Sequence, residues 1–212
     1  MQIAILDNHF ELLPQRAIYW HEKAALILSD THFGKTAHFR KAGISIPDHS
    51  FHTDIEVLDK LVAQFSPVSL IIAGDMFHSY YNREVAIFGA WRDKHPALQI
   101  HLAKGNHDIL HSGIYTDLRI RVYQAYTLDS FIFSHELCSN VQAFCFSGHI
   151  HPGIRVAGPA RQQLKFPCFH FSGMSCTLPA FSRFTGLSLI DPACDDSVYM
   201  IVQEEVIKYS CK

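Results

Sequence analysis

Apolar residues fall into short blocks along the chain. Runs of apolar or β-branched residues recur at Ile3 to Leu6, Ala25 to Leu28, Leu70 to Ala73, Leu98 to Leu102, Phe131 to Phe133 and Phe144 to Phe146. Bounded as they are by polar and turn-forming residues, these runs predict buried strands. Between them Phe51, Ile55, Leu58, Leu61, Val62 and Phe65 recur at three- and four-residue intervals, which predicts one helix, and Val85 to Trp91 predicts a second. The first half thus alternates strands with helices. The second half is richer in strands and turns, punctuated by Pro152-Gly153, Gly158-Pro159 and Asp191-Pro192, with further strands expected over Gly186 to Ile190 and Ser197 to Val202. The pattern predicts an α/β domain with a partly antiparallel, two-sheet core.

Composition narrows this picture modestly. The 212 residues are 48% hydrophobic, enough for one substantial core, and no shift in composition divides them, so 1–212 is expected to be a single domain. A net charge of -2 displays no broad basic field. The apolar runs are too short to span a membrane, and the N-terminus reads as no signal peptide, so a cytoplasmic location is expected. The cysteines include no Cys-x-x-Cys pair and are expected to be reduced thiols. Histidine is the unusual count, at 15 against 18 Lys plus Arg.

The position of these histidines carries the chemistry. Five of the expected strands are followed closely by groups able to bind metal: Asp30-Thr31-His32, Gly74-Asp75, Gly105-Asn106-His107-Asp108, Ser134-His135 and Gly148-His149-Ile150-His151. Side chains just past the carboxyl ends of neighbouring strands can converge on one point. Asp, Asn and His supply oxygen and imidazole without thiolate, a set suited to Mn, Fe, Zn or Mg rather than a soft metal. Two such ions about 3.5–4 Å apart can share a hydroxide and clamp a phosphoryl group during in-line displacement. Glycine before Asp75, Asn106 and His149 is read as permitting tight turns at strand ends. An isolated Asp-x-His would be weak grounds for a metal site; the ordered set of five blocks is not.

In these blocks the chain resembles the calcineurin-like metallophosphoesterase superfamily, and the resemblance implies a layered α/β/β/α sandwich with two mixed sheets. It implies one ion held by Asp30, His32, Asp75 and His151 and another by Asp75, Asn106, His135 and His149, with Asp75 bridging. His107 would protonate the leaving oxygen, with Asp108 orienting its imidazole. A closer likeness, to the bacterial ligase-associated DNA-damage-response phosphoesterases, runs through Leu-Pro-x-Arg-Ala-x-Tyr-Trp at 13–20, His-Phe-Gly-Lys-x-x-His-Phe-Arg at 32–40, Gly-Asp-Met-Phe-His-Ser at 74–79 and Leu-Pro-Ala-Phe-x-x-Phe-Thr-Gly at 178–186. Thr31, Phe33, Ser182 and Leu187 depart from the residues usual there. That resemblance implies a manganese-dependent endonuclease acting on DNA, in repair alongside a DNA ligase, a helicase and a second nuclease; single strands, whose flexible backbone can bend into a crevice holding two metals, are the expected form of that DNA. His78 is similar to a catalytic, non-ligand histidine in the active site of the related Mre11-like nucleases, with a hydrogen-bonded histidine at a helix start as the alternative.

Lys35, His38 and Arg40 are candidate contacts to substrate phosphates, and Arg155 and Arg161 are weaker ones; solvated surface charge is the alternative for all of them. Phe33, Phe39, Tyr80 and Tyr81 can be read either as base-stacking residues or as core. Two other functions fit parts of the pattern. A phosphodiesterase or pyrophosphatase acting on a small nucleotide or lipid-linked substrate would require a closed, narrow pocket. A non-catalytic interaction scaffold would have no need of a complete ligand set.

Overall fold

The computed structural model describes residues 1–35, 49–78, 80–138, 142–158 and 162–210, of which 49–52 are described by their backbone alone. Two mixed sheets face each other across a core of aromatic residues. The first runs in chain order, β1 (Gln2–Ile5), β2 (Asn8–Leu13), β3 (Ala17–Trp20), β4 (Ala25–Leu28), β5 (Ser69–Ala73), β6 (Gln99–Ala103) and β7 (Ile120–Tyr123). It is an antiparallel meander as far as β4 and parallel from β4 to β7. The switch has a simple cause: two- to four-residue turns join β1 to β4, whereas longer, partly helical connections return the chain to start β5 and β6 in the same direction.

The second sheet is built from β8 (Tyr126–Leu128), β9 (Phe131–Ser134), β10 (Phe144–Ser147), β11 (Pro152–Ala157), β12 (Gln163–Ser172), β13 (Ser175–Thr177) and β14 (Ser188–Leu189), in the order β14-β11-β12-β13-β10-β9-β8. A hairpin of β15 (Ser197–Val202) and β16 (Glu205–Tyr209) joins it through β12. Strands β9, β10 and β13 are mutually parallel, so this sheet also has neighbouring carboxyl ends.

Helices α1 (His49–Phe65) and α2 (Arg83–Lys94) cover the outer face of the first sheet, and the short α3 (Ser112–Asp117) joins them there. Leu58, Leu61 and Val62 of α1 and Val85, Phe88 and Trp91 of α2 pack on Leu26, Leu28, Leu70, Ile72, Ile100 and Leu102. The opposite residues of the same strands, Ala25, Ile27, Ile71 and Ala73, face the second sheet, where Phe131, Phe133, Phe146 and Phe169 meet Phe10 and Trp20. Because β4 and β5 are covered on both faces, their sequences are continuous apolar runs rather than alternating ones. Among the described residues the outer face of the second sheet carries a small cluster of Ile154, Cys168 and Val198. No described helix is long and apolar enough to cross a membrane.

The expected helices appear, and the expected strands appear with shifts of a residue or so, except that the one expected over Gly186 to Ile190 shrinks to the two residues of β14. Strand β1 differs in character: it is an edge strand whose residues alternate between exposed and half-buried rather than fully buried.

Candidate metal centre

The carboxyl ends of β4, β5, β6, β9 and β10 open on one edge of the sandwich, and each leads directly into one of the five polar blocks. The loops after β4 and β5 are laced together by backbone hydrogen bonds from Asp30 N to Gly74 O (3.0 Å), His32 N to Asp75 O (2.9 Å) and His78 N to Phe33 O (2.7 Å). Across the sheets, His149 N donates to Asp30 Oδ2 at 3.0 Å, and within the second sheet Gly148 N donates to His135 O at 3.1 Å. The side chains therefore sit on a cross-braced frame, although they come from five separate loops.

All seven expected ligands lie in this region. His32 Nε2 faces His151 Nε2 at 3.4 Å, and Asp30 Oδ1 lies 3.2 Å from the same His151 nitrogen. His135 Nε2 lies 2.8 Å from Asn106 Oδ1, 2.9 Å from His149 Nδ1 and 3.5 Å from Asp75 Oδ2. Two trios, Asp30/His32/His151 and Asp30/Asp75/His135, each present ligand atoms within 4.8 Å of one another. Asp30 is common to both trios, and Asp75 belongs to one. The floor is deeply buried, with Asp30, His32, Asp75 and His135 at most 5% exposed, whereas Asn106 and His149 are open to solvent.

The donor set fits divalent cations. Burial, reinforced by the nearby charges of Lys35, His151, His78 and His107, drives the His32 imidazole from its ordinary value down to about 2, so it stays neutral with a lone pair free to bind metal. The buried Nδ1 atoms of His32 and His135 have no hydrogen-bond partner among the described residues. Imidazole nitrogens and carboxylate oxygens that face one another at such distances are what a metal ion satisfies. Five of the seven ligands, Asp30, His32, Asp75, His149 and His151, have φ between 46° and 70°, the left-handed region that side chains other than glycine rarely adopt. Such strain collects at functional sites.

Only Gly74 has the left-handed backbone of the turn-forming role expected of these glycines, and all three provide space as well. Gly74 has φ +86°, and its missing side chain leaves room for His135, whose Nδ1 would lie 2.1 Å from an added Cβ. Gly105 and Gly148 have ordinary φ; what they provide is space, since a Cβ would come within 2.1 Å of Asp75 Oδ1 and 2.4 Å of Asp30 Oδ2 respectively.

Around this centre lie the other candidates. The His107 ring stacks on that of His78, and its Nε2 lies 4.0 Å from Asp75 Oδ2. Asp108 does not touch the His107 ring, contrary to the orienting contact expected. Fully buried, it accepts instead from Phe77 N and Gly105 N, each at 2.9 Å, so it fixes the backbone of both loops that carry the histidines. Burial and the nearby Asp75 raise its carboxyl to about 6, against the pull of these N–H donors. Lys35 sits near enough to Asp30 and Asp75 for their charges to hold its pKa up, although burial lowers it overall. His38, Phe39, Arg40 and Arg161 lie outside the described residues. Phe33 is core, packed on Phe77 and Phe88, whereas Tyr80 and Tyr81 are exposed and Arg155 points to solvent from β11.

One supporting group carried no chemical signal in the sequence. Phe181 N donates to Ser29 O and Ser182 N to Asp30 O, so the segment after β13 clasps the first metal loop from behind. Arg16 donates to Ala180 O and Ser182 O, and buried Asp54 of α1 accepts from Ser182 and from Arg183 N. The motifs at 13–20 and 178–186 thus meet in space. Ser182, one of the departures noted above, supplies the hydroxyl that Asp54 accepts from.

Two mixed sheets that gather carboxylates, imidazoles and an amide at adjoining strand ends define a metal-dependent phosphoesterase. The chain belongs to the calcineurin-like phosphoesterase family, whose model matches residues 24–170. Its structure is similar to that of the Pseudomonas putida nuclease MPE, at 29% sequence identity and a TM-score of 0.85 over 99% of this chain and 99% of that one. It is also similar to Yfce, a phosphoesterase from E. coli, at 14% identity and a TM-score of 0.43, covering 88% of this chain and 98% of that chain. A comparison with curated proteins finds no match. The enzyme is a hydrolase of phosphate esters that uses divalent metal.

Proposed function

We propose that this enzyme is an endonuclease that hydrolyses phosphodiester bonds in single-stranded DNA with manganese, and that it serves DNA repair in the cytoplasm. The observation that carries this reading is the end-to-end similarity to a nuclease, at 29% identity over 99% of both chains. The site's openness supports it: Asn106 and His149 are exposed and the His107 side chain is 43% exposed, whereas a small-molecule phosphodiesterase was expected to have a closed pocket. Tyr80 and Tyr81, 75% and 57% exposed two and three residues beyond His78, are suited to stacking unpaired bases.

In this reading Asp30, His32, Asp75, Asn106, His135, His149 and His151 hold two divalent ions. Those ions would supply Lewis-acid charge against the scissile phosphoryl oxygens. His107 donates a proton from its ring to the departing oxygen. His78 fixes the tilt of that ring by stacking, and Asp108 fixes the loop beneath it. Lys35 adds positive charge beside Asp30 and Asp75, where a phosphate would approach.

The test is cleavage of circular single-stranded DNA by metal-stripped protein given back manganese, zinc or magnesium separately. Bis(4-nitrophenyl) phosphate and 4-nitrophenyl phosphate run alongside, with His107→Ala as control. Cutting of the circle with manganese, abolished in the variant, is the expected result. Hydrolysis of the small esters alone would overturn the nuclease reading, and no turnover with metal bound would overturn catalysis altogether.

A further inference from the structure

The carboxyl edge of the sandwich does not end at the metal centre. Next to it lies a groove of about 540 Å³ lined by Lys104, Asn106, Ile109, Gln124, His135 and Glu136, among others. Two of these, Asn106 and His135, are candidate metal ligands, so the groove opens directly from the centre. Its position follows from topology. Lys104 and Asn106 extend the end of β6, Gln124 follows β7, and His135 and Glu136 follow β9, so the groove runs toward the side of the site where β7 closes the first sheet. Lys35 belongs to the loop after β4, on the other side of β5.

We infer that this groove binds the nucleotide next to the scissile phosphate, with Lys104 contacting that nucleotide's own phosphate. The inference rests on the nuclease reading and adds a substrate-binding residue to it. The volume lies within the ~300–1,000 Å³ typical of small-ligand sites, enough for one nucleotide. Lys104 is exposed, and no ion pair engages it among the described residues, so its ammonium is available to an incoming anion. Its backbone N–H is tied to Tyr123 O at 2.8 Å, which fixes the root of the side chain against β7. The half-exposed Ile109 gives a sugar or base an apolar surface. Gln124 and Glu136 offer an amide and a carboxylate to the edge of a base. Glu136 would repel a second phosphate, so the lining matches one phosphate and one base rather than a run of backbone.

The test measures binding of labelled oligothymidylate, without added metal, to wild type, Lys104→Ala and Lys104→Arg over a range of KCl concentrations. Neutralising one single-strand phosphate contributes about -0.7 to the slope of log K against log salt. Lys104→Ala should therefore show a slope shallower by about 0.7 and severalfold weaker binding at low salt, with Lys104→Arg restoring both. A structural role for the lysine would leave the slope unmoved. In parallel, KM for a cleavable oligonucleotide should rise more in Lys104→Ala than KM for bis(4-nitrophenyl) phosphate, which has a single phosphate. Equal salt slopes for wild type and Lys104→Ala, or no binding of the strand by wild type, overturn the inference. If the wild type binds the strand with the expected slope difference but cuts no DNA, the nuclease reading falls and the phosphate contact stands.

Discussion

The rings of His78 and His107 lie stacked, their centroids 4.4 Å apart and their planes 29° from parallel, and both meet the ring of His32 edge-on at 5.6 Å and 5.7 Å. Three loops therefore meet in one cluster of imidazoles, of which only His32 belongs to the expected ligand set. An outer histidine held in this way can move a proton while the inner one stays neutral and free to bind metal.

His107→Ala should lower kcat by about 10²-fold or more, the loss typical of a missing general acid, with metal content unchanged by elemental analysis. His78→Ala should cost less, and His78→Phe, which keeps a flat ring against His107, should recover most of that loss. A drop in bound metal in either variant would reassign that histidine as a ligand.

Asp108→Asn replaces a carboxylate that accepts two backbone N–H groups with an amide that has a single acceptor oxygen. A buried donor left without its partner costs about 1–3 kcal/mol. The variant should melt at lower temperature and lose activity because the loops carrying Asp75 and Asn106 lose their common anchor. Unchanged melting would show that the carboxylate is not the anchor.

Asp54 has its carboxyl raised to about 6, chiefly by burial, while Ser182, Arg183 and Arg16 pull the other way. The folded value lies above the unfolded value of about 3.9, so the folded state holds the extra proton between about pH 4 and pH 6. Its contribution to stability is therefore greatest below about pH 4 and is lost as pH rises through 6. At about 1.4 kcal/mol per unit the total is at most about 3 kcal/mol. Asp54→Asn should gain on the wild type as pH rises across this window, measured as the difference between their urea midpoints at each pH. A difference independent of pH would remove Asp54 as the cause.

Gly148→Ala would place a Cβ 2.4 Å from Asp30 Oδ2 and 2.7 Å from Ala73 O, which is backbone and cannot easily yield. The carboxylate must move, so metal affinity should fall by at least about tenfold, the scale at which disturbed ligand support registers, while circular dichroism stays native. Gly186→Ala, with nothing within 4 Å of the added carbon, serves as the silent control. Equal metal titrations for the two variants would dismiss the close approach.

Metal should stabilise the fold as well as serve the reaction. At a free concentration 100 times its dissociation constant, an ion that binds only the native state adds about 2.7 kcal/mol. Melting temperature should climb with added manganese, fall on chelation, and respond far less in Asp30→Asn, since Asp30 lies within reach of both trios. A melting temperature indifferent to metal would argue against two ions at this site.

Much of the centre was legible in the sequence because a ligand just past a buried strand leaves two signals together, an apolar run and a polar group after it. Asp75 after Leu70 to Ala73 and His149 after Phe144 to Phe146 carry both. The hairpins were harder to read. Leu6, Asp7 and Gln203 adopt left-handed backbone in hairpin turns that contain no glycine, so β2 and β16 are not announced by the usual Asn-Gly or Asp-Gly pair. The role of Asp108 is hidden in the sequence for another reason. Adjacency in sequence suggested a contact with His107, but neighbouring residues in a tight loop point apart, and Asp108 turns inward to the backbone. The clasp of Arg16, Asp54 and Ser182 joins positions far apart in the chain, and no local pattern records such a meeting.

The left-handed backbone at His32, His149 and His151 marks where chemistry overrides conformational preference, because glycine or asparagine would sit there more comfortably than histidine. A descendant of this chain freed from catalysis would have no reason to keep imidazoles in those places. Drift would replace them, and each replacement by glycine or asparagine would relax its loop. Loss of activity would then be accompanied by a gain in thermal stability of the metal-free protein, and that pairing would distinguish a retired member of the lineage from one merely damaged.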